Sequence, residues 1–141
     1  MNEQLKLQVL EVLARHKLCV IATVDEQSRP EAAIVGFSHS ETLELLIGTS
    51  HKTRKYANLM RNPHSAVVIG DTIAEVQYEG AVRQLEQAEL NDQLKERFQK
   101  LPGNEQYLQD PEQAWLLITP KWLRLTVHGN PNRIEEMSRF V

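Results

Sequence analysis

Residues 43–69 read LELLIGTSHKTRKYANLMRNPHSAVVI, and the pattern within them decides the fold. An apolar run at 42–49 predicts a strand, because Leu and Ile there are followed by a turn of polar residues. Residues 51–62 then change to the spacing of a short helix, which Pro63 stops. Residues 64–70 predict the next strand. A strand, a short helix and another strand therefore follow one another without a long linker.

Residues 48–55, GTSHKTRK, form a cationic junction between the strand and the helix. The start of a helix exposes unpaired N–H groups and partial positive charge, which together suit an anion. The junction adds cations and hydroxyl groups: Lys52, Arg54, Lys55, Thr49, Ser50 and Thr53. Cations in a first helical turn oppose the helix dipole, so the cluster is costly without an anion. The chemistry favours a compact dianion such as a terminal phosphate, and a solvated surface cluster is the alternative. Neither GxxxxGK[ST] nor GxGxxG occurs in the chain.

Outward from the junction, the sequence predicts a mainly β fold of six to seven mostly antiparallel strands with short flanking helices. Two hairpins in a row before the junction predict an antiparallel meander, and such strands usually close into a barrel or sandwich. We expect one domain over residues 1–141. The other predicted elements are helices at 3–16 and 87–100, strands at 18–24, 30–37, 74–86, 115–119 and 122–127, with a break at Pro120, and a polar tail at about 129–141.

Composition excludes several function classes. The net charge of −3 argues against a nucleic-acid binder, which normally needs a basic face. The N-terminus carries acids and no long apolar run, so we expect neither a signal peptide nor a membrane span, and a cytoplasmic location by default. Cys19 is the single cysteine and is expected to be a small buried residue. No HxH or HExxH occurs, so no metal site is predicted.

The segment IATVDEQSRPEAAIVGF at 21–37, followed by residues 43–69, resembles the flavin-binding split barrel of pyridoxamine 5'-phosphate oxidase-like proteins. The most specific part is Thr49, then Thr53-Arg54-Lys55, then Asn62-Pro63 before another strand. The resemblance implies an FMN-binding split β-barrel in which Arg54 and Lys55 hold the FMN phosphate and Thr49 and Thr53 donate hydroxyl groups to it. It also implies that the isoalloxazine ring lies along the second strand, and that a glutamine of a later strand faces the ring: these positions are Ala33, Ile34, Val35 and Gln77.

The resemblance further implies a homodimer with flavin at the subunit interface and FMN-dependent oxidoreductase activity on a small-molecule substrate. This chain has Ala33 and Ser38 where the vitamin-making enzyme has an arginine and a lysine, so we do not expect it to make pyridoxal phosphate. No catalytic acid or base is identified. The alternatives are a non-catalytic flavin carrier or sensor, stress-related, and a haem- or deazaflavin-binding relative. His51 is either a further phosphate donor or a surface residue, and Trp115, Trp122 and Tyr78 either stack on a flavin or belong to the core.

Overall fold

The computed structural model describes residues 2–98 and 110–140. Its elements confirm a mainly β protein with short helices. The helices are α1 (Glu3–Ala14), α2 (Arg54–Arg61) and α3 (Asp92–Arg97), with a 3₁₀ turn at Gln87–Glu89. The strands are β1 (Leu18–Val24), β2 (Pro30–Gly36), β3 (Ser38–His39), β4 (Leu45–Ser50), β5 (His64–Gly70), β6 (Ala74–Gln84), β7 (Gln113–Val127) and β8 (Arg133–Met137). There are eight strands in this part of the chain, one more than the upper number predicted.

All eight strands belong to one antiparallel sheet that is curled into a split barrel. The strand order is β2-β1-β5-β6-β7-β4-β3, and β8 pairs with β7. The two ends of this order, β2 and β3, are separated in the chain by Phe37 alone. A sheet whose two edges are joined by one residue has to curl until the edges meet, so β2 lies beside β4 without pairing with it. This confirms the predicted fold class.

The predicted meander is only partly correct. The first hairpin, β1–β2, is present over seven residue pairs from Leu18↔Gly36 to Val24↔Pro30. The second hairpin exists only at Ser38↔Leu46 and His39↔Leu45. On its other edge β4 pairs with β7 along its whole length, from Leu45↔Ile118 to Ser50↔Gln113, and β2 does not continue the ladder that β3 begins. The separation of β2 from β4 creates the split, and sequence periodicity does not report which strand becomes the partner.

The interior of the barrel is apolar and is closed at one side by α1. The α1 residues that are buried recur at helical spacing, so one face of the helix packs on the sheet: Leu5, Val9, Val12 and Leu13. The Tyr78 ring is also in this core, and its hydroxyl donates to the carbonyls of Leu43 (2.8 Å) and Ile118 (3.1 Å). A second, smaller cluster lies under α3 on the other side of the sheet, and it includes Trp115. Tyr78 and Trp115 are therefore core residues.

Three further expectations need correction. Residues 113–127 form one continuous strand, because a bulge at Glu79/Gly80 absorbs the irregularity of Pro120. A Cβ at Gly80 would lie 2.5 Å from the Cγ2 of Ile118, so the position has room only for glycine. The expected polar tail at 129–141 contains β8, whose Met137 is buried. The helix predicted at 87–100 is a 3₁₀ turn followed by α3, and its last two positions lie outside the described residues.

The outer surface of β2, β1 and β5 carries exposed apolar side chains. Ile34, Val20 and Val68 stand opposite one another across these three strands. Together with Leu18 they form what we call the outer apolar face. Ile34 is 71% exposed, although it lies in the middle of a strand. Contiguous exposed apolar side chains are a recurrent feature of interaction surfaces.

Candidate functional site

The cationic junction lies where β4 ends at Ser50 and α2 begins at Arg54. Thr53 is the N-cap of α2: its Oγ1 accepts from the backbone N–H of Tyr56 (3.2 Å) and donates to the carbonyl of Ser50 (2.9 Å). The hydroxyl of Thr49 is 2.9 Å from the same Oγ1 and therefore donates to it. Both threonine hydroxyl groups build the junction itself. Their predicted role as donors to a phosphate stays a prediction that requires the hydroxyl groups to rotate.

The three cations of the junction have different surroundings. Lys52 pairs with Glu112 (3.5 Å), and Arg54 pairs with Glu31. Lys55 is half-buried, and within residues 2–98 and 110–140 no carboxylate pairs with it. Burial lowers the pKa of the Lys55 ammonium below its ordinary value of 10.5, because the charged form loses water. Lys55 is thus a partly desolvated cation in the first turn of a helix, where the dipole already favours an anion.

Glu31 links α2 to β2 through two donors. Its Oε2 pairs with Arg54, and its Oε1 accepts from the Asn58 amide at 2.6 Å. The Asn58 amide nitrogen also donates to Thr23 Oγ1 at 3.0 Å on β1. Both Asn58 and Thr23 are buried, whereas the Glu31 side chain is 17% exposed. The Glu31 carboxylate is therefore fixed between β2, to which it belongs, and the first turns of α2.

Aromatic and polar contacts anchor the opposite side of the junction. Tyr56 donates from its hydroxyl to Gln84 Oε1 on β6 (2.8 Å), and its ring meets the His51 ring edge-on with centroids 4.8 Å apart. His51 Nδ1 is 2.9 Å from the carbonyl of Glu112, which can only accept, so Nδ1 carries the hydrogen. The exposed His51 ring is therefore oriented by Tyr56 and the start of β7.

The second strand has a free edge. At one end of the β1–β2 hairpin the Phe37 N–H donates to the backbone carbonyl of Lys17 (3.1 Å). At the other end the Asp25 N–H donates to the backbone carbonyl of Arg29 (2.9 Å). Hydrogen-bonded pairs alternate in an antiparallel ladder, so the backbone groups of Ala33 and Val35 point toward β1. The N–H and carbonyl of Ile34 then point to the open edge that runs beside β4. Of the three residues predicted to line the ring, Ile34 alone offers backbone groups to a ligand there.

Gln77 lies away from the junction within one chain. It stands on the outer surface of β6, opposite Val68 and Arg124. Gln84 is the β6 glutamine that contacts Tyr56 beside the junction. It lies seven positions along the strand from Gln77, a distance of roughly 23 Å. The predicted contact of Gln77 with a flavin ring stays a prediction, and it requires a ring bound to a second chain.

The sequence reasoning missed the residues that contact the cations from other elements. Glu31 and Glu112 pair with Arg54 and Lys52, and Gln84 accepts from Tyr56, all three from strands or turns far away in the chain. No local pattern marks them. The one available signal was Glu31, which follows Pro30 at the start of the strand on which the ring was predicted.

The described chain shows neither an activated cysteine nor a cluster of metal ligands. Cys19 is buried, and desolvation raises the pKa of its thiol to about 12, which disfavours a thiolate. Within 2–98 and 110–140, no three His, Cys, Asp or Glu side chains are grouped closely enough to bind a metal ion. None of the helices described in these ranges has the length and apolar character needed to cross a membrane.

Comparison with known proteins agrees with this architecture. The family model for pyridoxamine 5'-phosphate oxidase matches residues 5–127. A putative pyridoxamine 5'-phosphate oxidase from Listeria innocua is similar at 22% identity and a TM-score of 0.67, over 86% of this chain and 97% of that one. A pyridoxamine 5'-phosphate oxidase-related, FMN binding protein from Nostoc punctiforme matches at 14% identity and a TM-score of 0.66, over 96% and 95%.

A haem binding protein from Mycobacterium smegmatis has the same fold, with a TM-score of 0.74 at 15% identity, over 90% of this chain and 55% of that one. No curated protein matches the chain in sequence. At these identities the solved structures establish the fold.

Proposed function

Because the chain belongs to the pyridoxamine 5'-phosphate oxidase family, we propose that it binds FMN and acts as an oxidoreductase on a small-molecule substrate. The phosphate of FMN would bind at the cationic junction. The flavin ring would lie along the free edge of β2. The observation that carries the proposal is Lys55, a half-buried cation at a helix start with no carboxylate partner in the described ranges.

The residues present fit such a ligand. A terminal phosphate at the start of α2 would receive the helix N–H groups that the Thr53 cap leaves free and the Lys55 ammonium, and Arg54 could add a bidentate contact. The free edge of β2 would offer the backbone N–H and carbonyl of Ile34 to the polar edge of a planar ring. These groups fix and orient the ligand, and the bound FMN supplies the hydride or electron transfer.

The outer apolar face supports the proposal of a homodimer. Leu18, Val20, Ile34 and Val68 cost free energy while they face water, and a second copy of the same face would cover them. The face includes the strand on which the ring would lie. Two equivalent sites next to the interface would follow, and Gln77 of one subunit would then be available to the ring held by the other.

An absorption spectrum and two titrations test the function. We expect the purified protein to carry, or to take up, FMN with the yellow flavin bands. Riboflavin should bind much more weakly because it lacks the phosphate. Oxidation of NAD(P)H with an acceptor separates an oxidoreductase from a flavin carrier or sensor. Equal affinity for FMN and riboflavin would refute phosphate binding at the junction.

A haem-binding protein is the second candidate, and the similar fold of the mycobacterial haem binding protein favours it. The same spectrum decides between the two, because haem gives a Soret band. His128 at the end of β7 is exposed and would be the residue to replace in that case.

A further inference from the structure

We propose that Glu31 sets how strongly the junction distinguishes a phosphorylated flavin from an uncharged one. Its carboxylate forms an ion pair with Arg54 and repels a bound phosphate dianion. The inference rests on the proposed FMN site. It assigns to Glu31 a role against the phosphate end of the ligand. Its effect therefore depends on the charge of the ligand and should be absent for an uncharged flavin.

Glu31 cannot easily leave the junction when a phosphate arrives. Its Oε1 accepts from Asn58, which is 4% exposed and also bonded to Thr23. Moving the carboxylate away would leave a buried amide hydrogen without its acceptor, which is costly. The negative charge therefore stays beside the first turn of α2 in the bound state.

Arg54 is engaged by the same carboxylate. Its Nη1 atom pairs with Glu31, although the side chain itself is 81% exposed and free to turn. A bidentate grip on phosphate uses two parallel N–H donors of the guanidinium group. Glu31 competes for one of these donors, so the arginine is offered to the ligand only in part.

The other carboxylates of this region have different surroundings. Glu112 pairs with Lys52 in an exposed contact, 58% and 80% exposed, and can turn into solvent at little cost. Glu26 pairs with Arg61 at the far end of α2 (3.6 Å). Of these three carboxylates, Glu31 is the one that is both fixed and adjacent to the first turn, and the exposed Glu26 serves as the control for removing a carboxylate that pairs elsewhere on α2.

The test replaces Glu31 with glutamine. Glu31→Gln keeps an oxygen acceptor for Asn58 and nearly the same volume, so the fold should be retained. A single charge about 6 Å from a dianion changes its binding roughly tenfold even at the dielectric constant of water. We expect Glu31→Gln to tighten FMN binding about tenfold, to leave riboflavin binding unchanged, and Glu26→Gln to change neither.

Two results would overturn the proposal. Unchanged FMN affinity would mean that the carboxylate does not act on the phosphate, and weaker affinity would mean that it orients Arg54 for the ligand. Inorganic phosphate provides a test without flavin, read as the shift in the thermal unfolding midpoint. If the wild-type protein binds no FMN, the proposed function fails, and the role of Glu31 is then judged with phosphate alone. A larger phosphate-induced shift of the unfolding midpoint in Glu31→Gln than in the wild-type protein supports the proposal. An equal or absent shift contradicts it.

Discussion

Replacement of Lys55 by methionine should change ligand affinity and stability in opposite directions. In the free protein the ammonium is partly desolvated and lies in the first turn of α2, where the helix dipole disfavours a cation. Removing that charge should raise the free energy of unfolding by about 0.3–1 kcal/mol at neutral pH. The same change removes a charge-assisted contact to phosphate of roughly 1.5–3 kcal/mol, so FMN should bind about ten- to a hundredfold more weakly.

The sign of the pH dependence follows from the lowered pKa. Lys55 is protonated at neutral pH in both the folded and the unfolded chain, so the unfavourable charge is fully present there. Stability contributed by this site therefore rises as pH increases through the lowered folded pKa toward the unfolded value. FMN affinity should fall over the same rise, starting below the ordinary value of 10.5, because the cation is lost.

The assays are urea unfolding of the ligand-free protein and fluorescence titration with FMN and riboflavin between neutral and alkaline pH. Lys52→Met is the control, because Lys52 is exposed and paired with Glu112; its FMN affinity should stay within about threefold of wild type. If Lys55→Met bound FMN as tightly as the wild-type protein, or kept the alkaline fall in affinity, Lys55 would not be the phosphate cation.

Three further predictions concern the cap, the free edge and the outer apolar face. Thr53→Ala should destabilise the fold by about 1–3 kcal/mol in urea unfolding, because α2 loses its N-cap and the buried Thr49 hydroxyl loses its acceptor. Thr53→Ser should keep most of the stability that Thr53→Ala loses, and equal stability of the two variants would contradict the cap. In hydrogen exchange the Ile34 amide should exchange faster than that of Ala33 and become protected when FMN is added; slow exchange of Ile34 without ligand would place its N–H in the ladder. Ile34→Asp should shift the sedimentation of the protein to that of a monomer, whereas Ile73→Asp, at a similarly exposed isoleucine outside that face, should not; a dimer that survives Ile34→Asp would exclude the face as the interface.

The strands were predictable from the sequence where local signals exist. The runs at 18–24 and 64–70 alternate or are rich in β-branched residues, and both strands are found at those bounds. The long partner of β4 was not predictable. Apolar residues such as Leu45 and Leu46 fit beside either β2 or β7, and the choice is made by closure of the whole sheet. The continuous β7 was missed because Pro120 normally ends a strand, and its tolerance depends on Gly80 in another strand.

The position of the cationic junction was predictable because its signal is local: its cations and hydroxyl groups lie within eight consecutive residues. Its electrostatics were not. The sequence presents Lys52, Arg54 and Lys55 as three equivalent cations, but Glu112 and Glu31 neutralise the first two from distant elements. Which cation stays available is decided by tertiary contacts, and it can be recognised only once β2 and the start of β7 are placed beside α2.

The single residue between β2 and β3 also governs how the split can move. Phe37 is buried and its N–H donates to the Lys17 carbonyl, so the chain is held at this point. A swing of β2 away from β4 therefore pivots at Phe37, with almost no displacement at that end. The amplitude is greatest at Pro30, seven residues away. Such a swing would open the gap most at the end of β2 where Glu31 and Arg54 meet.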